Sequence, residues 1–167
     1  MILQIVRTVR LLLLGLWLGG AIFFGAAVAP SLFVVLRGAQ LSNANEIAGI
    51  IVTRLLATIN IAGFVVALFL IATAFVMQQT SNRFVRFAEM ISLAIMAIMT
   101  GVSHWIISAR MLALRAAMGS PIDQIGHDDP RRVAFDSLHH YSVGVMGVAI
   151  IVGLIAFVIM TARPRGQ

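Results

Sequence analysis

The sequence predicts an all-α integral membrane protein, a bundle of four antiparallel up-down spans in a single domain over residues 1–167. Three observations predict it. The chain is 60% apolar and 11% charged, whereas a soluble domain carries about 25% charged and about 45–50% apolar residues. Four stretches, Leu11 to Leu36, Leu55 to Asn82, Met90 to Ala109 and Ser137 to Ala162, contain no Asp, Glu, Lys or Arg. Each holds the roughly 20 residues that an α-helix needs to cross about 30 Å of hydrocarbon, and none shows the alternation of a barrel strand. With no cysteine, disulfides, thiolate metal sites and Cys nucleophiles are excluded.

The spans are expected at about 9–36, 48–78, 88–116 and 131–162. Arg7 and Arg10 precede the first, which could also be read as a signal peptide ending at Ala27-Val28-Ala29. Its apolar run exceeds the usual h-region of about 7–15 residues, and Pro30 would follow the cut directly, so it is taken as a retained helix. Pro30 frees the carbonyl of Ala26, a kink site. Gly15 and Gly19, like Ala21 and Gly25, stand four apart, a spacing that lets helix backbones approach in lipid. In the second span Arg54 precedes the uncharged run and snorkels, with Asn60 about two turns deeper. The third continues through Arg110 and Arg115 as an amphipathic extension until Gly119-Ser120-Pro121 stops it. A loop comes next with three Asp and His127, and Asp129-Pro130 caps the start of the fourth span. There Gly144, Gly147, Ala149 and Gly153 form a second narrow stripe. The two stripes serve packing within the bundle or a contact with another copy or a larger membrane complex. Trp17, Trp105 and Tyr141 read as interfacial markers.

All twelve positive residues are Arg, and the formal net charge is +6. They flank apolar runs and form no basic face, which excludes nucleic acid and leaves the lipid bilayer as the partner. Arg7, Arg10, Arg83, Arg86, Arg163 and Arg165 fall on the side of the termini, against Arg37, Arg110, Arg115, Arg131 and Arg132 on the other, where most acidic residues lie. The positive-inside rule then expects both termini in the cytoplasm of a bacterial inner membrane.

Polar groups inside a span are functional candidates by default. On the third helix Ser92, Met96, Thr100 and His104 recur every four residues. On the fourth, His139, Ser142, Met146, Ala149 and Gly153 follow the three-four pattern. Facing stripes would bring His104, His139 and the thioethers of Met96 and Met146 around one cleft opening away from the termini. Imidazole ligates haem iron and copper, and thioether suits Cu(I), so haem b or copper fits such a cleft. The same imidazoles serve equally to hydrogen-bond neighbouring helices, and Asp136 stands within reach of both His139 and His140. No carboxylate is expected inside a span, and no phosphate loop, zinc motif or nucleophile triad can be assembled.

Leu16-Trp17-Leu18-Gly19-Gly20, with Phe23-Phe24 and Ala29-Pro30-Ser31-Leu32-Phe33, resembles the first helix of the small four-helix membrane family that includes the cisplatin-resistance-associated transmembrane proteins and bacterial domains of unknown function. Pro130-Arg131-Arg132 and Phe135-x-x-Leu138-His139-x-x-Ser142 resemble the start of that family's last helix. The resemblance implies a four-helix membrane protein with His139 and Ser142 as the matched polar pair; His140 and His104 have no counterpart. The W-L-G-G segment is also similar to the membrane domain of bacterial copper-resistance D proteins. The sequence thus leads to a small binding or accessory protein with a His-containing cleft. Oligomeric transport or efflux of a solute or metal, and a structural role in a larger complex, are the alternatives.

Overall fold

The computed structural model describes residues 2–76 and 83–162. Four helices, α1 (Ile2–Gly38), α2 (Ala44–Phe75), α3 (Arg83–Met118) and α4 (Pro130–Ala162), are each long and apolar enough to cross a membrane. They run up and down, so the ends at Ile2 and Ala162 share one face of the bundle, here the near face. The α1–α2 and α3–α4 connections lie on the far face. Among the described residues there is no strand.

The helices overrun the uncharged runs for local reasons. Asp129 accepts the Arg131 backbone N–H at 2.8 Å and starts α4 at Pro130, whose missing donor costs nothing in the first turn. Gly119, at φ +66°, ends α3 in the left-handed conformation that a β-carbon disfavours. Arg163 and Arg165, counted above for orientation, lie outside the described residues.

α1 and α3 are not uniform α-helices. α1 widens into a π-helical turn at Phe24–Val28, closed by the Ala29 N–H on the Phe24 carbonyl. Pro30 supplies the cause: its ring would press on the Ala26 carbonyl and it has no N–H to donate, so an extra residue in the preceding turn relieves both faults. α3 widens at Val102–Ile107, where the Ser103 carbonyl accepts both the Ser108 N–H and, at 2.9 Å, the Ser108 hydroxyl.

The main core draws on all four helices: Leu14, Trp17, Leu18 and Ala21 of α1, Ala67 and Leu70 of α2, Leu93, Met96 and Ala97 of α3, and Ala149, Ala156 and Met160 of α4. In lipid, close packing rather than exclusion of water holds such helices together, and small residues set the closest approaches. Gly63 marks the tightest, since a β-carbon there would stand 2.5 Å from Trp17 Nε1. Trp17 is therefore no interfacial marker: it is buried and donates to the Ile59 carbonyl at 3.0 Å. Trp105 and Tyr141 remain exposed.

Gly15 and Gly153 face Phe157 and Leu18, within the bundle. Among the described residues nothing lies within 4 Å of the position a β-carbon would take at Gly19, Gly144 or Gly147.

Candidate functional site

The near half of the bundle contains a carboxylate that the sequence pattern hides. Glu89, one residue before the uncharged run that starts at Met90, is fully buried, and its Oε1 accepts from Arg10 NH2 at 2.5 Å. Arg10, 2% exposed, also donates to the Leu70 carbonyl and to the Thr73 hydroxyl. One guanidinium thus ties α1 to α2 and α3. One expectation is corrected: a carboxylate does lie within a span, and with Arg10 it places buried polar groups in the near half as well as the far half. Burial of both charges is tolerable because each holds the other and further hydrogen bonds go to the Leu70 carbonyl and the Thr73 hydroxyl.

In the middle of the bundle Asn60 is fully buried and donates from Nδ2 to the Ser103 hydroxyl at 2.9 Å. Ser92, Met96 and Thr100 are all buried, as their shared stripe requires, with the Thr100 hydroxyl returned to the Met96 carbonyl at 2.8 Å. The stripe meets its partner on α4 where the sulfur of Met96 comes within 3.7 Å of a β-carbon placed on Gly153. Ser142 is buried and Met146 half-buried.

His104 stands within the widened turn of α3, where the buried positions are Ser103 and Ile107. The His104 ring is half-buried and packs edge-on against Trp105 at 5.0 Å, with a buried Nδ1 that has no hydrogen-bond partner among the described residues. Arg54 is exposed, as a snorkelling residue would be.

The far half is built differently. Its second core, Ile107, Met111, Met118, Ile122 and Phe135, comes from α3, the following loop and α4 alone. Beyond its π turn the far half of α1 packs principally on α2, whereas the far halves of α3 and α4 pack on each other. Between these two pairs lies a cleft of about 580 Å³. Phe33, Val52, Met111 and Phe135 give it apolar walls; Arg37, Arg115, Arg132, Asp123, Asp136, His127 and His139 give it a polar rim. His139 lines it, while His104, Met96 and Met146 do not. His140 is exposed on the next position, its ring 6.2 Å from that of His139. Asp136 is half-exposed, 3.9 Å from Arg132 Nε.

The rim is organised by reciprocal caps across the chain. Asp123 accepts the Glu46 backbone N–H on one oxygen at 3.0 Å and Asn45 Nδ2 on the other at 2.5 Å. In return, Glu46 accepts the Ile122 N–H at 3.1 Å. The start of α2 and the α3–α4 loop thereby satisfy each other's free amides, the arrangement of a capping box split over two segments.

Arg115 sits beside Glu46 at 3.3 Å, over the Phe135 ring at 5.2 Å, and fills the space that Gly49 leaves open. Arg132 donates to the Ile122 and Ile125 carbonyls. Outside the cleft, Asp129 is held down at about 2, chiefly by its hydrogen bonds from the Arg131 side chain and backbone. Among the described residues no three His, Asp or Glu side chains are grouped to hold a metal ion.

Residues 12–120 match the family described as a domain of unknown function, DUF4149; the match takes in α1 from residue 12, all of α2 and α3, and stops before His139. The chain belongs to that family. Searches of curated proteins and of solved structures return no match.

Proposed function

We propose that this member of an uncharacterised family is a multi-pass binding protein of the bacterial inner membrane, with both termini in the cytoplasm and its ligand site in the far-side cleft. One observation carries the reading: the bundle is closed by a four-helix core in its near half and parts into two helix pairs in its far half, around a cavity of about 580 Å³ with apolar walls and a rim of guanidinium, carboxylate and imidazole groups. An apolar pocket with a few converging polar groups is the usual form of a small-ligand site. The test is extraction of the purified protein and of a Thr53→Trp variant, which fills the cleft from α2. A compound that co-purifies with the wild type and is lost from the variant supports the proposal, and identical extracts refute it.

A second reading, haem b or copper held by His139 with His104, draws on the buried Nδ1 of His104, which has no hydrogen-bond partner among the described residues, and requires the two rings to approach each other, since His139 lines the cleft and His104 does not. Visible absorption and elemental analysis of the same preparation test it. A colourless, metal-free protein that stays folded removes it.

A further inference from the structure

We infer that the occupant of the cleft is one anionic phospholipid, its phosphodiester head among Arg37, Arg115 and Arg132 and its acyl chains leaving through the gap between α1 and α4. This deepens the binding reading above and rests on it.

The first support is a surplus of hydrogen-bond donors. A guanidinium carries five N–H groups and no acceptor. Among the described residues Arg115 finds no acceptor in line: its buried Nε lies 3.3 Å from a Glu46 oxygen but off the direction that a hydrogen bond needs. Arg132 spends one nitrogen on two carbonyls, and its buried Nε has no acceptor among the same residues. Arg37 spends only Nε, on Asn45 at 2.8 Å.

The nearby carboxylates do not absorb this surplus. Both oxygens of Asp123 and one of Glu46 are taken by backbone amides and Asn45. Formal charges balance, three Arg against Glu46, Asp123 and Asp136, so what the rim lacks is acceptor atoms rather than negative charge. A singly charged phosphodiester supplies acceptors at small electrostatic cost, and guanidinium forks match phosphate oxygens in pairs.

The second support is position. Phe33, Val52, Met111 and Phe135 line the same cavity, so a free phosphate would leave half of it unused. The mouth is set by the packing: the far half of α1 rests on α2, that of α4 on α3, and the gap between α1 and α4 faces the hydrocarbon of the far leaflet. A lipid in that leaflet reaches the rim without its chains crossing water.

The experiment is native mass spectrometry of the full chain, released from detergent micelles doped with equal amounts of phosphatidylglycerol and phosphatidylcholine. Parallel samples contain inorganic phosphate and no added lipid. The expected result is one phosphatidylglycerol per chain, retained at least tenfold over phosphatidylcholine. That preference falls to near unity in R37Q and R115Q and is unchanged in R110Q, which removes an exposed charge from the same leaflet outside the cleft. Arg37 is exposed, so R37Q decides the matter should R115Q fail to fold.

Equal retention of the two lipids by the wild type overturns the inference. So does an R110Q loss as large as that of R37Q, and so does inorganic phosphate that binds and displaces the lipid. A compound still lost from the Thr53→Trp extract, beside indifference to phosphatidylglycerol, sinks the lipid assignment and leaves the binding cleft standing.

Discussion

Replacing Glu89 by Leu leaves the Arg10 guanidinium buried among α1, α2 and α3 without its carboxylate. At an effective dielectric of about 20, two unit charges about 4 Å apart attract by about 4 kcal/mol. This agrees with the roughly 3–5 kcal/mol measured when one partner of a buried pair is removed. Arg10→Met should cost a similar amount, because Glu89 is then a fully buried anion. The double variant Arg10→Met with Glu89→Leu removes both charges and keeps side-chain volume. It is expected to be more stable than either single variant, and the departure of its effect from the sum of the two single effects gives the coupling energy. Equilibrium unfolding in mixed micelles of mild and denaturing detergent, followed by circular dichroism, measures all three. If both single variants lie within about 1 kcal/mol of wild type, a threshold set well below that penalty, the pair is not the clamp described here and lipid headgroups or water must reach it.

Gly63→Ala would place a β-carbon 2.5 Å from Trp17 Nε1 and 2.9 Å from Thr100. Overpacking of this kind costs about 1–3 kcal/mol, and in a Trp105→Phe background it should shift the emission of the remaining Trp17; Gly19→Ala, with open space around it, should be neutral or slightly stabilising, and equal effects at the two positions would refute the packing. Asp123→Ala strips the Glu46 amide and Asn45 of their acceptor, a loss of about 1–3 kcal/mol by the usual cost of orphaned buried donors, and hydrogen exchange should accelerate at 119–129 and at the start of α2 while the near core stays protected; unchanged exchange in the loop would remove the latch. Asp129 should titrate near 2 rather than at the ordinary 3.8, because Arg131 holds its charged form. Its stabilising contribution is therefore complete above 3.8 and is lost as pH falls through about 2, which carbon-detected NMR of the labelled carboxyl reads directly; a midpoint at the ordinary value would show that the cap is not formed in solution.

The four helices and their caps are legible because a membrane span announces itself by what it lacks. Leu55 to Asn82 contains no charge, and Gly119 and Asp129-Pro130 supply the chemistry that stops one helix and starts the next. Arg10 and Glu89 are misread for the same reason: a charge beside an apolar run counts as the end of that run, and nothing local distinguishes an anchor from half of a buried pair whose members lie 79 positions apart. The missing signal is spatial. An acidic residue on α3 meets an Arg on α1 only once the up-down topology places both at one depth.

His104 illustrates a second limit. Positions four apart advance by about 40° per step round an α-helix, so the repeat that starts at Ser92 has left the buried face by His104, and within the Val102–Ile107 turn the buried positions are Ser103 and Ile107. No proline marks that turn. It is held by Ser108 and Ser103, hydroxyls that serve as readily in an ordinary helix. In α1 the corresponding widening does have a visible cause in Pro30, and there the sequence locates the kink although not its form.

The same two turns account for why the cleft lies where it does. Core residues of α1 extend to Phe24, the first residue of its π turn, and beyond it no side chain of α1 is fully buried. A change in helical twist at that level redirects the far half of α1 onto α2, while the turn in α3 leads into the half of that helix that packs against α4. A bundle that holds one set of four-way contacts throughout its length has no room for a ligand. Changing the twist of two helices at the same depth separates the far half into pairs without loosening the near half, and the network of Asp123, Glu46 and Asn45 bridges the outer end of the split. Deleting one residue within Phe24–Val28 together with Pro30→Ala should therefore restore a regular α1, close the cleft and abolish ligand retention while leaving the Arg10–Glu89 clamp intact. Retention undiminished in that variant would mean that the π turn does not create the site.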